Sequence, residues 1–207
     1  VGQFYLDLYA REEKKGGAWM NDARSRRVLE SGVQTPVAYL VCNFSRPIGG
    51  KEGKAKPATF THDEVTTLFH EFGHGLHHML TEVEISAVGG IHGVAWDAVE
   101  LPSQFMEHWC WEEAGLARIT AHIDTGAPLP ADLLASLMAA KNFQSGLMTL
   151  RQLEFALFDM RIHRAGPLDA AGVQAELNAV RAQVSLLPPP DWNRFQVHVI
   201  VVAITSM

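Results

Sequence analysis

The segment THDEVTTLFHEFGHGLHHML, residues 61–80, constrains this chain more than any other stretch. Val65, Leu68, Phe69, Phe72, Leu76 and Leu80 recur at helical spacing, the pattern that lines one face of an α-helix. Thr61, followed three residues later by Glu64, forms a capping box: hydroxyl and carboxylate satisfy amide donors that the first turn would leave orphaned. The pattern predicts one amphipathic helix over 62–80. Gly73 in its interior costs about 1 kcal/mol relative to alanine, a cost best explained if another element packs closely against the helix there.

Five of the ten histidines fall on this helix: His62, His70, His74, His77 and His78. His70-Glu71-Phe72-Gly73-His74 is an H-E-x-x-H pentapeptide. Positions i and i+4 lie one above the other, so His70 and His74 can place two imidazole nitrogens about 2 Å from one zinc ion. Glu71 lies beside that face, near enough to touch an activated water and not placed to be a third ligand, which suits a general base. The competing reading is an amphipathic helix with chance histidines.

A third ligand would decide between the two readings. The compact pattern H-E-x-x-H-x-x-G-x-x-H is excluded, because His77 stands at its glycine position and Leu80 at its last histidine. The nearby candidates are His77, His78, Glu82, Glu84, His92, Asp97, Glu100 and Glu107. Three ligands in one helical column cannot converge on one ion, so His77 and His78 read as helix-surface or core-edge side chains. Glu82 and Glu84 follow the helix too closely to return comfortably. His92 sits in a loop and either touches substrate or is a plain loop residue. Glu100 follows the glycine-containing loop 86–95, which has length enough to reverse the chain, and begins a helix able to pack beside the first. The alternative for Glu100 is a second capping box with Asp97, a register that Pro102 complicates. Glu107, two helical turns on, is either solvated or a support behind a ligand.

Around this segment the chain reads as mostly α with a small β-sheet near the N-terminus, an α+β class. QFYLDLYAR alternates with period two, as a half-buried strand does, and a basic glycine-containing turn follows. TPVAYLVCNFSRP, residues 35–47, is a β-branched and aromatic run suited to a more buried strand. GGKEGKAKPATF reads as a glycine and lysine loop entering a short extended piece. Further helices are predicted over about 98–113, after the prolines of TGAPLPADLL, over KNFQSGLMTLRQLEFALFDMRIHR, and over about 169–186. The third of these keeps its apolar steps of three and four except across Glu154.

The chain carries 17 basic and 23 acidic residues, for a net charge of −6, and no Lys/Arg cluster. That balance offers no footprint for nucleic acid or an anionic membrane. No apolar run approaches the ~20 residues needed to span a bilayer, and the first residues lack the order of a secretory signal, so a cytoplasmic location is expected. Cys42 and Cys110 read as buried thiols. Oligomeric state is not legible.

LFHEFGHGLHHML, GVAWDAVELPSQFMEHWCWE, AAKNFQSGLMTLRQLEFALFDMRIH and the opening GQFYLDLYAREEKKGGAW together resemble the thimet oligopeptidase family of zinc metallopeptidases, over about residues 1–195. The resemblance implies that His70, His74 and Glu100 bind one Zn2+ per chain and that Glu71 activates a water for attack on the scissile carbonyl, then protonates the leaving amine. It implies short, unstructured peptides as substrates and a largely helical, two-lobed zincin-like enzyme with a deep channel. Ser103 and Gln104, one turn past Glu100, are either supports for the ligands or surface residues. A peptidyl-dipeptidase of the same family is the narrower alternative.

Two departures accompany it. Family members are several times longer, so residues 1–196 are expected to be a partial catalytic domain. Residues 197–207 are expected to be an atypical C-terminal tail, because QVHVIVVAITSM lacks the glycine and tyrosine rich segment that helps to hold the oxyanion in the family. Loss of one oxyanion donor costs about 10²- to 10³-fold in rate, so a non-catalytic or weakly active zinc-binding chain is the second expectation. The tail itself reads either as an ordinary C-terminal strand or as a truncated or out-of-frame end.

Overall fold

A computed structural model of the chain describes residues 2–47, 57–187, 189–190 and 192–194. The tail at 197–207 and most of the lysine-containing loop lie outside the described residues. The chain divides into two compact units, the first ending at Ala131 and the second beginning at Asp132. The fold is mostly helical with a small N-terminal sheet.

The first unit is built on β5 (Val37–Phe44), flanked by β1 (Gln3–Tyr9) running parallel to it and β2 (Trp19–Arg24) running antiparallel. Alternation along β5 puts Ala38, Leu40, Cys42 and Phe44 on one buried face. That face carries α1 (His62–Met79), with Leu40 packed beneath Gly75 and Phe4 of β1 edge-on to Phe72 at 5.3 Å. β1 is less buried than its period of two implies: Phe4, Tyr5 and Leu6 are all exposed, as an edge strand partnered on one side allows. The basic turn after β1 has a structural use. Lys14 is buried, and its Nζ donates to the carbonyls of Asp7, Tyr9 and Cys42, tying the ends of β1 and β5 together.

β2 and the small hairpin of β3 (Arg27–Leu29) and β4 (Gly32–Gln34) do not announce themselves in the sequence. WMNDAR has no apolar run, and pairing with the buried β5 supplies the order that its own side chains do not.

α1 begins as its capping box dictates, with Glu64 N–H donating to Thr61 Oγ1 at 3.2 Å and Thr61 N–H donating to Glu64 Oε2 at 2.8 Å. The helix anticipated over 98–113 is broken. Residues 96–100 form a turn, α2 spans only Leu101–Glu107, a 3₁₀ turn covers His108–Cys110, and α3 starts afresh at Glu113 and ends at Ile119. Pro102 at the first turn of α2 explains the late start, since its ring cannot sit in a helix interior. No capping box of Asp97 with Glu100 forms: Glu100 is itself the N-cap residue, without a side-chain capping bond. The glycine loop is two 3₁₀ turns, Ser86–Val88 and Gly90–Gly93. Gly90 has a φ of +59°, and a Cβ there would lie 2.5 Å from His78 Nδ1, so both conformation and space require glycine.

In the second unit α4 (Ala131–Ala140) precedes α5 (Ser145–Arg164) and α6 (Ala170–Val184). α5 starts four residues later than the sequence pattern indicates, after Gln144 in the left-handed region. Phe158, Leu177 and Val180 form the core between α5 and α6. Glu154, which interrupts the apolar spacing, is buried and accepts from Arg181 Nε at 2.8 Å, the pairing that a buried charge needs.

The contact between α1 and α2 is close enough that a Cβ on Gly73 would stand 2.5 Å from Pro102 O and 2.6 Å from Ser103 Cα. Both are backbone atoms and cannot swing aside. Gly73→Ala is therefore predicted to destabilise the first unit by about 1–3 kcal/mol through overpacking, outweighing the ~1 kcal/mol that alanine gains by helix propensity. Urea unfolding checks the sign, and a stabilised variant would contradict the packing described.

Candidate metal centre

α1 and α2 run in opposite senses, and a ladder of contacts sets their register. His62 Nε2 hydrogen-bonds Cys110 O at 2.8 Å near one end, and Gly73 meets Pro102 and Ser103 near the other. His70 and His74 of α1 thereby face Glu100 at the start of α2. His70 Nε2 and His74 Nε2 each lie 3.1 Å from the same atom, Glu100 Oε2. One ligand atom from each of the three residues fits within 4.8 Å of the others, the one such group among the described residues. Ligands held tetrahedrally at zinc distances stand roughly 3.3 Å apart, so the two His–Glu spacings fit a shared ion.

Each side chain is held in place. Ser103 is fully buried, and its Oγ lies 2.8 Å from Glu100 O and 2.9 Å from Glu100 Oε2, so the hydroxyl fixes the carboxylate that faces the histidines. Ser103 is therefore not a surface residue, and its hydroxyl holds the Glu100 carboxylate. His70 Nδ1–H donates to Glu107 Oε1 at 2.6 Å, which leaves Nε2 directed at Glu100. His74 has its Nδ1 buried with no hydrogen-bond partner among the described residues. Burial lowers the pKa of His74 against the opposing charge of Glu100, favouring the neutral imidazole that a metal requires.

Glu71 is 5% exposed and lies under the sheet edge, where the Met20 N–H bonds its carboxylate. Burial, reinforced by the charge of Glu100 and opposed by His70 and that Met20 bond, pushes its pKa up to about 7. A carboxyl so poised exchanges protons near neutral pH.

His62, His77, His78 and His92 lie outside this group. His78 is fully buried and its Nε2 bonds Arg24 O at 3.1 Å, making it a core residue joining α1 to β2. His77 has a buried Nδ1 with no hydrogen-bond partner among the described residues, and burial lowers its pKa. His92 pairs with Asp22 Oδ2 at 3.1 Å, anchoring the glycine loop to β2. Burial alone would raise the pKa of Asp22, but the bond and charge of His92 more than offset it. His62, for which the sequence offers no role, bonds Cys110 O and lies 4.2 Å from the Trp111 ring, centroid to centroid. Its only sequence signal is its place at the start of α1. Cys42 and Cys110 are free, buried thiols, and burial raises both pKa values, that of Cys42 to about 11.

The profile of peptidase family M3 matches residues 1–204. The chain is 58% identical over 196 residues to oligopeptidase A of Salmonella typhimurium and of Escherichia coli, an alignment covering 94% of this chain and 28% of each relative. It is 44% identical over 204 residues to the organellar oligopeptidase A of Arabidopsis thaliana, with 94% and 25% covered. The chain thus spans a little over a quarter of the length of these relatives. With the H-E-x-x-H helix and its facing glutamate at the centre of the matched region, the chain belongs to peptidase family M3.

Proposed function

We propose that this chain carries the zinc centre of a metallopeptidase that hydrolyses peptide bonds in short oligopeptides; the relatives it resembles carry the name oligopeptidase A. The observation that carries the proposal is the convergence of His70, His74 and Glu100 from two helices, beside a buried Glu71. Two imidazoles and one carboxylate form a three-ligand set of the kind used by catalytic zinc sites, which keep one position for water or substrate. When bound, zinc supplies Lewis acidity, bringing the pKa of a water toward ~7 and polarising a carbonyl.

The protein's own groups perform the proton transfers. The Glu71 carboxylate takes a proton from the attacking water and delivers it to the leaving amide nitrogen, so one group serves as base and then acid. To begin the cycle Glu71 must be ionised. Burial opposes that state, and positive charge beside it favours it, so the metal ligands and the base are electrostatically coupled. Ser103 keeps Glu100 from rotating away from the two histidines.

No helix among the described residues is long and apolar enough to cross a membrane. Short peptides remain the proposed partners, and the charge balance gives no support for nucleic acid.

Metal analysis of the purified chain should find about one zinc, and His70→Ala or Glu100→Ala should no longer hold it stoichiometrically. A parent chain without zinc would contradict the proposal. In a quenched-fluorescent peptide assay, cleavage should be abolished by chelator. Glu71→Gln should retain the metal while its rate falls by about 10²–10⁴-fold. Undiminished cleavage by that variant would refute the role of Glu71.

A further inference from the structure

We infer that Glu107 is a positioning residue for the metal centre, acting through His70. The inference rests on the zinc reading above and adds a residue to it. An imidazole binds a metal through one ring nitrogen only if the proton sits on the other, and the partner of that other nitrogen decides which tautomer is populated. His70 has a carboxylate on each side: Glu107 Oε1 at 2.6 Å from Nδ1, and Glu100 Oε2 at 3.1 Å from Nε2. Glu107 accepts a hydrogen bond from Nδ1–H, which keeps the proton on Nδ1, leaves the Nε2 lone pair for the ion and stops the ring from rotating about its last torsion.

Distance alone would not carry this, because a pair of partly exposed charges in water is often worth little. The placement does. Glu107 is the last residue of α2, seven positions after Glu100, and α2 is pinned at both ends. At its start the helix backbone lies against Gly73, and beyond its end the Cys110 carbonyl is bonded by His62, whose ring also stacks near Trp111. Glu100 and Glu107 are thus held as a unit, one carboxylate before His70 and one behind it. His74 provides the internal comparison: its Nδ1 is buried and has no partner among the described residues. The two imidazoles of one motif are therefore oriented by different means, and removal of Glu107 should affect only His70.

The test uses the 207-residue chain and its Glu107→Ala and Glu107→Gln variants. Zinc release into excess chelator should be about 10- to 100-fold faster for Glu107→Ala, the usual cost of losing such a partner, with stoichiometry at saturating zinc unchanged. Glu107→Gln keeps the shape and an acceptor oxygen but not the charge. It should fall between, and it carries the comparison if the alanine variant unfolds. Nitrogen NMR of the zinc-loaded chains reads the bond directly: the His70 Nδ1–H should be protected from solvent exchange in the parent and exchange faster in Glu107→Ala, while His74 signals stay in place. Parent-like zinc release, or parent-like His70 Nδ1–H exchange, in a folded Glu107→Ala variant would overturn the inference. A parent chain that holds no zinc would overturn the metal reading, and the inference falls with it.

Discussion

Everything at the candidate site depends on how closely α2 approaches α1. The two helices meet where Gly73 leaves room for the backbone of Pro102 and Ser103, and no side chain could occupy that space. A residue that weakens a helix by about 1 kcal/mol in isolation is thereby the condition for bringing a carboxylate to two histidines. The approach fixes more than distance. With His62 bonded to Cys110 O at one end, the antiparallel register is set, and Glu100 and Glu107 must flank His70. β5 supplies the floor: Leu40 under Gly75 seats α1 on the sheet, so the helix that carries the histidines is held from both sides.

This arrangement concentrates charge where solvent is scarce. Glu71 is the extreme case, buried near Glu100, and burial together with that neighbouring charge raises its pKa to about 7. Structural ion pairs elsewhere in the chain are handled differently. Glu154 is as buried as Glu71, yet it is matched directly by Arg181. Ser103 and Glu107 complete the contrast, because each spends its hydrogen-bonding capacity on orienting a neighbour in the site.

Much of this was legible in the sequence because local rules governed it. The capping box and apolar spacing define α1 to within a residue, β5 alternates as a buried strand does, and the i, i+4 spacing alone stacks His70 over His74. Glu100 could be reached by asking where a reversing chain would return. What stayed illegible depended on partners distant in sequence. β2 is polar and acquires its order from β5. The break between α2 and α3 and the 3₁₀ turn at His108–Cys110 need tertiary contacts, with only Pro102 as a warning. For Glu107 the sequence leaves two readings open, solvated or a support behind a ligand. Its place behind His70 follows only once the register of two helices is known, and the bond of His62 to Cys110 spans 48 residues.

The central claim is that the α1–α2 pairing builds one metal centre from His70, His74 and Glu100. X-ray absorption at the zinc edge of the loaded chain tests it most directly. Two imidazole nitrogens at about 2.0–2.1 Å with oxygen making up the rest of the shell, and no sulfur, is the predicted result. A sulfur shell at about 2.3 Å, implicating Cys42 or Cys110, or a shell without imidazole would contradict it.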